Sequence, residues 1–281
     1  WYPGYNSVVA ATDRLFFVVN QEPGDWTRSV VHCVDITSPS GELADYVTIR
    51  PRGIIRDKFK LDYQGTRFTC ISEEVTDLRR TRLETFFLAD PRSDGPISLR
   101  KEGDLGLAER QSLFATRFDG DKAYIVTFQR IDPLFIVDLS KPANPKVVSE
   151  LLVPGFSTFI QPLGDRLVTV GSETNRVAVS LFDVANPAKP SLLSRVLLGD
   201  SYSWSESLWN EKAVSILPEQ QLILVPYSGD TTGGYASRVQ LIDLLTRELK
   251  ARGQISRTME PRRATLHKDR IYSISSRELL V

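Results

Sequence analysis

Few side chains in this chain could do covalent chemistry. It has two histidines, His32 and His267, and two cysteines, Cys33 and Cys70. A Ser-His-Asp or Cys-His arrangement would set one of these histidines beside a nucleophile, and no spacing points to such a set. The sequence holds no GxSxG, HExxH, P-loop or CxxC motif. Two Cys with two His argue against a structural zinc site, and the Asp119-Gly120 and Gly229-Asp230 turns lack the spacing of a calcium loop. No cofactor and no metal are expected. Carboxylates remain. Glycoside hydrolysis needs two acids that meet in space, and these can come from separate repeats. Glu74, beside Glu73, and Glu206 are the acids such a reading would use; otherwise no catalytic residue is assigned. Asp35, Asp90, Asp138, Asp183 and Asp243 each end an apolar run, most with a Pro, Ser or Asn close behind. They could form a ring of carboxylates, but an Asp that recurs with the fold is better read as a turn cap accepting backbone N–H bonds.

The elements that must position these groups repeat about every fifty residues. A polar turn precedes a β-branched run at LFFVV, FTCI, AYIVTF, LVTV, LILVPY and IYSI. A second apolar run then ends in the recurring Asp, and a third follows, as in DYVTI, KVVSELLV, SLLSRVLL and KARGQIS. A weaker run before each polar turn supplies a fourth strand. Helical periodicity is nearly absent; Leu105–Glu109 is a short helix-like stretch, and Leu244–Arg252 reads as turn plus strand. Four-stranded units repeated in this way describe an all-β fold, a β-propeller of antiparallel blades. The expected domain is single, residues 1–281, with units at approximately 7–52, 56–106, 110–153, 156–199 and 212–257 and an incomplete sixth at 262–281. Cys33 and Cys70 fall on strands of neighbouring units and read as two separately buried thiols rather than a bridge.

In that frame GDSYSWSESLWNEK (199–212) is the most informative segment. Two tryptophans and a tyrosine among serines do not read as a strand. As a link between blades the segment would lie on a propeller face, together with the loops between second and third strands. A ligand or partner face is therefore expected at Trp26, Arg79, Arg130, Tyr202, Trp204, Trp209 and Tyr235, because aromatics and Arg offer rigid area with a polar handle. Trp204 and Trp209 could equally wedge between blades; of the two, Trp209 is the expected wedge, since it abuts a strand.

Composition narrows the classes further. Thirty-five Lys+Arg balance 35 Asp+Glu, which removes the electrostatic footprint of a nucleic-acid binder. No apolar run is long enough to span a membrane. The first residue is Trp1 rather than Met, so the lack of a leader pattern says nothing about secretion.

FDGDKAYIVTFQRIDPLFIVDLSKPANPKVVSELLVPGFSTFIQPLGDRLVTVG (118–171), VSLFDVANPAKP (179–190) and WNEKAVSILPEQQLILVPYS (209–228) resemble the bacterial and archaeal secreted β-propeller domain family distantly related to WD40 repeats. The likeness is close from about residue 110 onward and looser before it. Where that family tends to carry Asp-His-Lys-Ala-Phe, this chain has Asn210-Glu211-Lys212-Ala213-Val214, so no histidine role carries over. The resemblance implies an extracellular or cell-envelope location and no established catalytic residues; the repeat count alone gives six blades, and the resemblance extends the whole ring to as many as eight. The expected function is a scaffold binding a protein or cell-envelope carbohydrate. The alternatives are a hydrolase or lyase acting on a polysaccharide, and a platform displaying another domain.

Overall fold

The computed structural model describes residues 7–75, 78–92, 97–128 and 132–281. The chain divides into two compact units, Trp1–Gln129 with Phe135–Val148, and Arg130–Leu134 with Ser149–Val281. Among the described residues the fold is all-β, with two single 3₁₀ turns. Sheet I holds β1 (Val8–Ala11), β2 (Leu15–Glu22), β3 (Asp25–Asp35) and β4 (Ala44–Ile49). Sheet II holds β5 (Leu61–Gln64), β6 (Arg67–Glu74), β7 (Arg80–Leu88) and β8 (Leu99–Leu107). Sheet III holds β9 (Ser112–Asp119), β10 (Lys122–Phe128), β11 (Asp132–Asp138) and β12 (Lys146–Val153). Sheet IV holds β13 (Phe156–Leu163), β14 (Arg166–Glu173), β15 (Arg176–Asp183) and β16 (Ser191–Leu197). Sheet V adds a strand, with β17 (Ser203–Trp204) and β18 (Ser215–Leu217) both pairing β19 (Leu222–Thr231), then β20 (Gly234–Leu244) and β21 (Leu249–Arg257). Sheet VI holds β22 (Pro261–His267), β23 (Arg270–Ser275) and β24 (Leu279–Leu280). Sheets I to IV each pair their strands in sequence order, antiparallel neighbour to neighbour, as propeller blades do.

The second and third strands carry near-continuous apolar runs because both of their faces are covered. In the second unit Val168, Val170, Val179 and Leu181 of sheet IV pack on Ile223, Val225 and Ile242 of sheet V. In the first, Leu15, Phe17 and Val31 of sheet I meet Phe68, Phe86 and Leu88 of sheet II, with Phe17 and Phe68 ring centres 5.0 Å apart. Cys33 and Cys70 lie in that same core as free thiols. Burial pushes the Cys33 thiol up to about 12 and raises Cys70 as well.

The recurring Asp is a cap. Asp35, Asp90, Asp138 and Asp183 accept N–H bonds from Thr37, Arg92, Ser140 and Ala185, at 2.8, 2.9, 2.8 and 3.0 Å. Those bonds hold Asp90 and Asp138 below the usual carboxylate range. Asp243 differs: Leu244 continues its strand, and the carboxylate pairs with Arg252 instead. The arginine of the polar turn reaches to the next sheet in the same unit. Arg14 bonds Asp90, Arg67 bonds Asp121 at 2.6 Å and the Leu139 carbonyl at 3.1 Å, and Arg166 bonds the Leu245 carbonyl at 2.8 Å. A register shift recurs between third and fourth strands, at Cys33/Val34, Thr85/Phe86, Leu181/Phe182 and Leu241/Ile242. Each such bulge bends the outer strand and increases its twist.

Two sequence expectations fail here. Leu105 to Leu107 close strand β8 rather than opening a helical turn. The whole of β8, LRKEGDLGL, lacks the apolar alternation that marks the other outer strands, because its charged side chains find partners on β7. Trp26 and Tyr235, expected on loops between second and third strands, sit on strands, because β2 to β3 and β19 to β20 turn within two residues.

Candidate functional site

In the second unit, Gly199 to Asn210 is pinned to β19 by its own polar groups. Asp200 N–H donates to the Asp230 carbonyl, and Asp230 N–H donates to the Tyr202 carbonyl, each at 2.9 Å. The approach is close enough that a Cβ on Gly229 would stand 2.5 Å from the Tyr202 carbonyl oxygen. The serines do the work aliphatic residues do elsewhere. Ser203 Oγ donates to the Leu198 carbonyl at 2.7 Å and accepts from Val177 N–H at 2.8 Å, fully buried. Ser205 donates to the Pro226 carbonyl and caps the 3₁₀ turn Glu206–Leu208 by accepting from Ser207 N–H. Asn210 then bonds Glu206 through both its backbone N–H and its side-chain amide, at 2.9 and 2.7 Å.

That turn carries Trp209 back over Trp204. The indoles stack with centres 5.6 Å apart and planes 11° from parallel. Trp204 Nε1 donates to the Tyr235 hydroxyl at 2.9 Å, which fixes its plane. Trp209 is 67% exposed, Tyr235 57% and Tyr202 46%. Trp209 is therefore not the expected wedge: the capped 3₁₀ turn lifts it off the sheet, and its inner neighbour is Trp204. Three of the seven expected face residues (Trp204, Trp209 and Tyr235) meet here, and a fourth, Tyr202, lies on the same segment. The result is a flat apolar surface rimmed by hydroxyls, suited to lying against another flat apolar face.

The other expected residues fall in the first unit or outside the described residues, where Arg130 lies. Trp26, at the start of β3, is 72% exposed. Arg79 donates to Ser112 Oγ at 2.7 Å and pairs with Glu73 at 3.4 Å. Glu73 is buried and also takes Arg56, at 3.1 Å. Glu74 pairs with Arg82 at 3.1 Å, and Arg82 reaches Asp104. Buried Glu84 accepts from Lys101 at 2.6 Å and from Arg52 N–H at 2.9 Å. The register that sets Glu84 opposite Asp104 and Arg82 opposite Gly106 builds this network. Sequence reading missed it because β8 itself was missed.

The two acids named for catalysis are thus each engaged separately, Glu74 by Arg82 in the first unit and Glu206 by Asn210 in the second. Burial raises the Asp62 carboxyl, but its neighbour is Arg67, 3.8 Å away, rather than a second acid.

A family described as Beta propeller domain matches residues 5–281 of the chain. An uncharacterized protein of Archaeoglobus fulgidus is 41% identical over 122 residues, covering 43% of this chain and 19% of that protein. An uncharacterized protein of Methanocaldococcus jannaschii is 38% identical over 114 residues, 38% of this chain and 18% of the relative. The matched stretches span less than a fifth of those relatives' length. Among solved structures, the periplasmic gluconolactonase of Pseudomonas aeruginosa aligns with a TM-score of 0.62 at 11% identity, over 100% of this chain and 86% of that one. A protein from Lactobacillus plantarum gives 0.57 at 12% identity, covering 96% and 77% of the two chains. A 6-phosphogluconolactonase-like protein from Bacteroides fragilis gives 0.51 at 14%, covering 88% and 69%. At such identities the likeness is one of fold.

Proposed function

The chain belongs to the Beta propeller domain family, and from that premise we propose that it is a binding module of the cell envelope whose second unit grips a carbohydrate through the Trp204–Trp209 platform. The observation that carries this reading is the stacked pair itself. Trp209, 67% exposed, serves no core but stacks on an indole whose plane Tyr235 fixes, and a sugar ring presents the flat C–H face that such a plane accepts. The hydroxyl of Tyr235, beyond its bond to Trp204, stands where it can meet the hydroxyls of a sugar edge. Net neutrality fits a ligand recognised by shape and stacking rather than by sign.

Titration of the protein against a glycan panel, followed by calorimetry on the hits, tests this. Trp209→Ala should weaken the best ligand by about 2 kcal/mol, roughly thirty-fold, as removal of an anchoring aromatic does. Unchanged affinity would move the site elsewhere, and capture of an envelope protein with no glycan hit would make the partner a protein.

A second reading is hydrolysis, and the two gluconolactonase-type neighbours favour it over other chemistries. It predicts turnover of a sugar lactone or polysaccharide that Glu74→Gln or Glu206→Gln reduces. The engagement of both acids, by Arg82 and by Asn210, weighs against it.

A further inference from the structure

The first unit contains a cavity of about 410 Å³ that the aromatic platform does not use, lined by Val19, Asn20, Gln21, Ser29, Ile54, Ile55 and Arg56. Its wall is the segment linking sheets I and II, stitched to both. Gly53 accepts from Ser29 N–H at 3.0 Å, and Ile54 exchanges two 2.9 Å backbone bonds with Glu73. Only glycine fits at 53, since a Cβ would come 2.4 Å from the Glu73 carbonyl oxygen. The cavity is therefore built by the fold rather than left by loose packing.

Gln21 spends its Nε2 on the Trp26 carbonyl at 3.0 Å, but three of the other polar groups keep a donor to spare. Asn20 is 3% exposed; Ser7 Oγ donates to its Oδ1 at 2.7 Å, while its Nδ2 has no partner among the described residues. A buried amide N–H pair left unbonded is costly, and an acceptor entering the cavity removes that cost. Ser29, also 3% exposed, already accepts from Ile55 N–H at 2.9 Å, so its hydroxyl proton is the part it can still offer. Arg56 spends Nε and Nη2 on Glu73, at 3.3 and 3.1 Å, leaving Nη1. Charge decides the class of acceptor. Among the described residues, Arg56 and Arg79 share the carboxylate of Glu73, which leaves one positive charge, enough for a monoanion and short of a phosphate dianion. Val19, Ile54 and Ile55 supply apolar wall for a short carbon chain.

We infer that this cavity binds the carboxylate of a small organic acid, with Asn20, Ser29 and Arg56 as its recognition groups. The inference is independent of the carbohydrate platform. Isothermal titration with D-glycerate, D-gluconate, D-glucose and inorganic phosphate tests it, alongside the thermal midpoint of each variant. The acids should bind, and glucose, which lacks the carboxylate, should not. Asn20→Asp keeps the acceptor for Ser7 but replaces the free donors with a negative charge, and should weaken binding at least about tenfold. If Asn20→Asp fails to fold, Arg56→Gln, which can still donate to Glu73, should show the same loss. Neither acid binding, glucose binding as tightly, tighter binding of phosphate, or an unchanged affinity in a folded variant would each overturn the assignment.

Discussion

Sheet II of the first unit and sheet V of the second are both built of antiparallel paired strands, yet they complete their polar ends differently. In sheet II carboxylates go inward and cations close over them: Glu73 under Arg56 and Arg79, Glu84 under Lys101, Glu74 and Asp104 around Arg82. In sheet V neutral hydroxyls go inward and aromatic rings close over them: Ser203, Ser205, Ser207 and Ser228 are buried, and Trp204 and Trp209 lie outside. The difference has a physical consequence. A buried carboxylate depends on its partner and on pH, whereas a hydroxyl that both donates and accepts is satisfied over the whole range. The polar end of sheet II is thus held by ion pairs, and the segment edging sheet V by neutral hydroxyls.

Glu84→Ala should give the largest effect, because it leaves Lys101 and the Arg52 N–H without their buried acceptor. Urea unfolding should show a loss of about 3 kcal/mol. A loss close to that of an exposed ion pair would mean the charges contribute little and the contrast is only decorative. Ser203→Ala in the second unit should cost less, about 2 kcal/mol, since it orphans Val177 N–H but no charge. A larger loss than for Glu84→Ala would reverse the comparison.

Acid should then separate the units. Hydrogen bonds from Thr27, Arg92 and Ser140 hold Asp25, Asp90 and Asp138 low, and all three belong to the first unit. A carboxylate with a lowered folded pKa contributes stability that is present above its unfolded value, near 3.8, and is lost as pH falls through the folded one. Asp62, raised by burial, works in the opposite direction and reduces the net loss. At the alkaline end, desolvation lowers Lys101 but its bonds to Asp104 and Glu84 outweigh this and raise it. Its contribution is present below about 10.5 and is lost as pH climbs past that. Hydrogen exchange should therefore show the first unit opening before β19–β20 at both extremes. Simultaneous opening would deny the distinction. The smallest change is expected for Trp209→Ala, whose removal should move the unfolding free energy by no more than about 0.5 kcal/mol. A greater loss would make the tryptophan a packing element after all.

How legible all this was depended on which physics wrote the residue. Apolar β-branched runs such as LFFVV and LVTV announce buried strands because both faces must be covered, and the Asp turns announce themselves because a short carboxylate caps a turn on its own. Strand β8 stayed hidden because its partners are charges fifteen or more residues away on β7, and no local pattern encodes a register. Trp209 was misplaced for a related reason. A tryptophan beside a strand usually packs, and only the three-residue turn capped by Ser205 shows that this one is lifted clear. The recurring bulge left no trace in the residues at all.

The stacked tryptophans also make the molecule optically self-reporting. Two indoles 5.6 Å apart and nearly parallel couple electronically, so they add a contribution of the pair to the circular dichroism, beside those of Trp1 and Trp26. Anything that slides one ring, or lies flat on the outer one, changes that coupled spectrum without a label being attached.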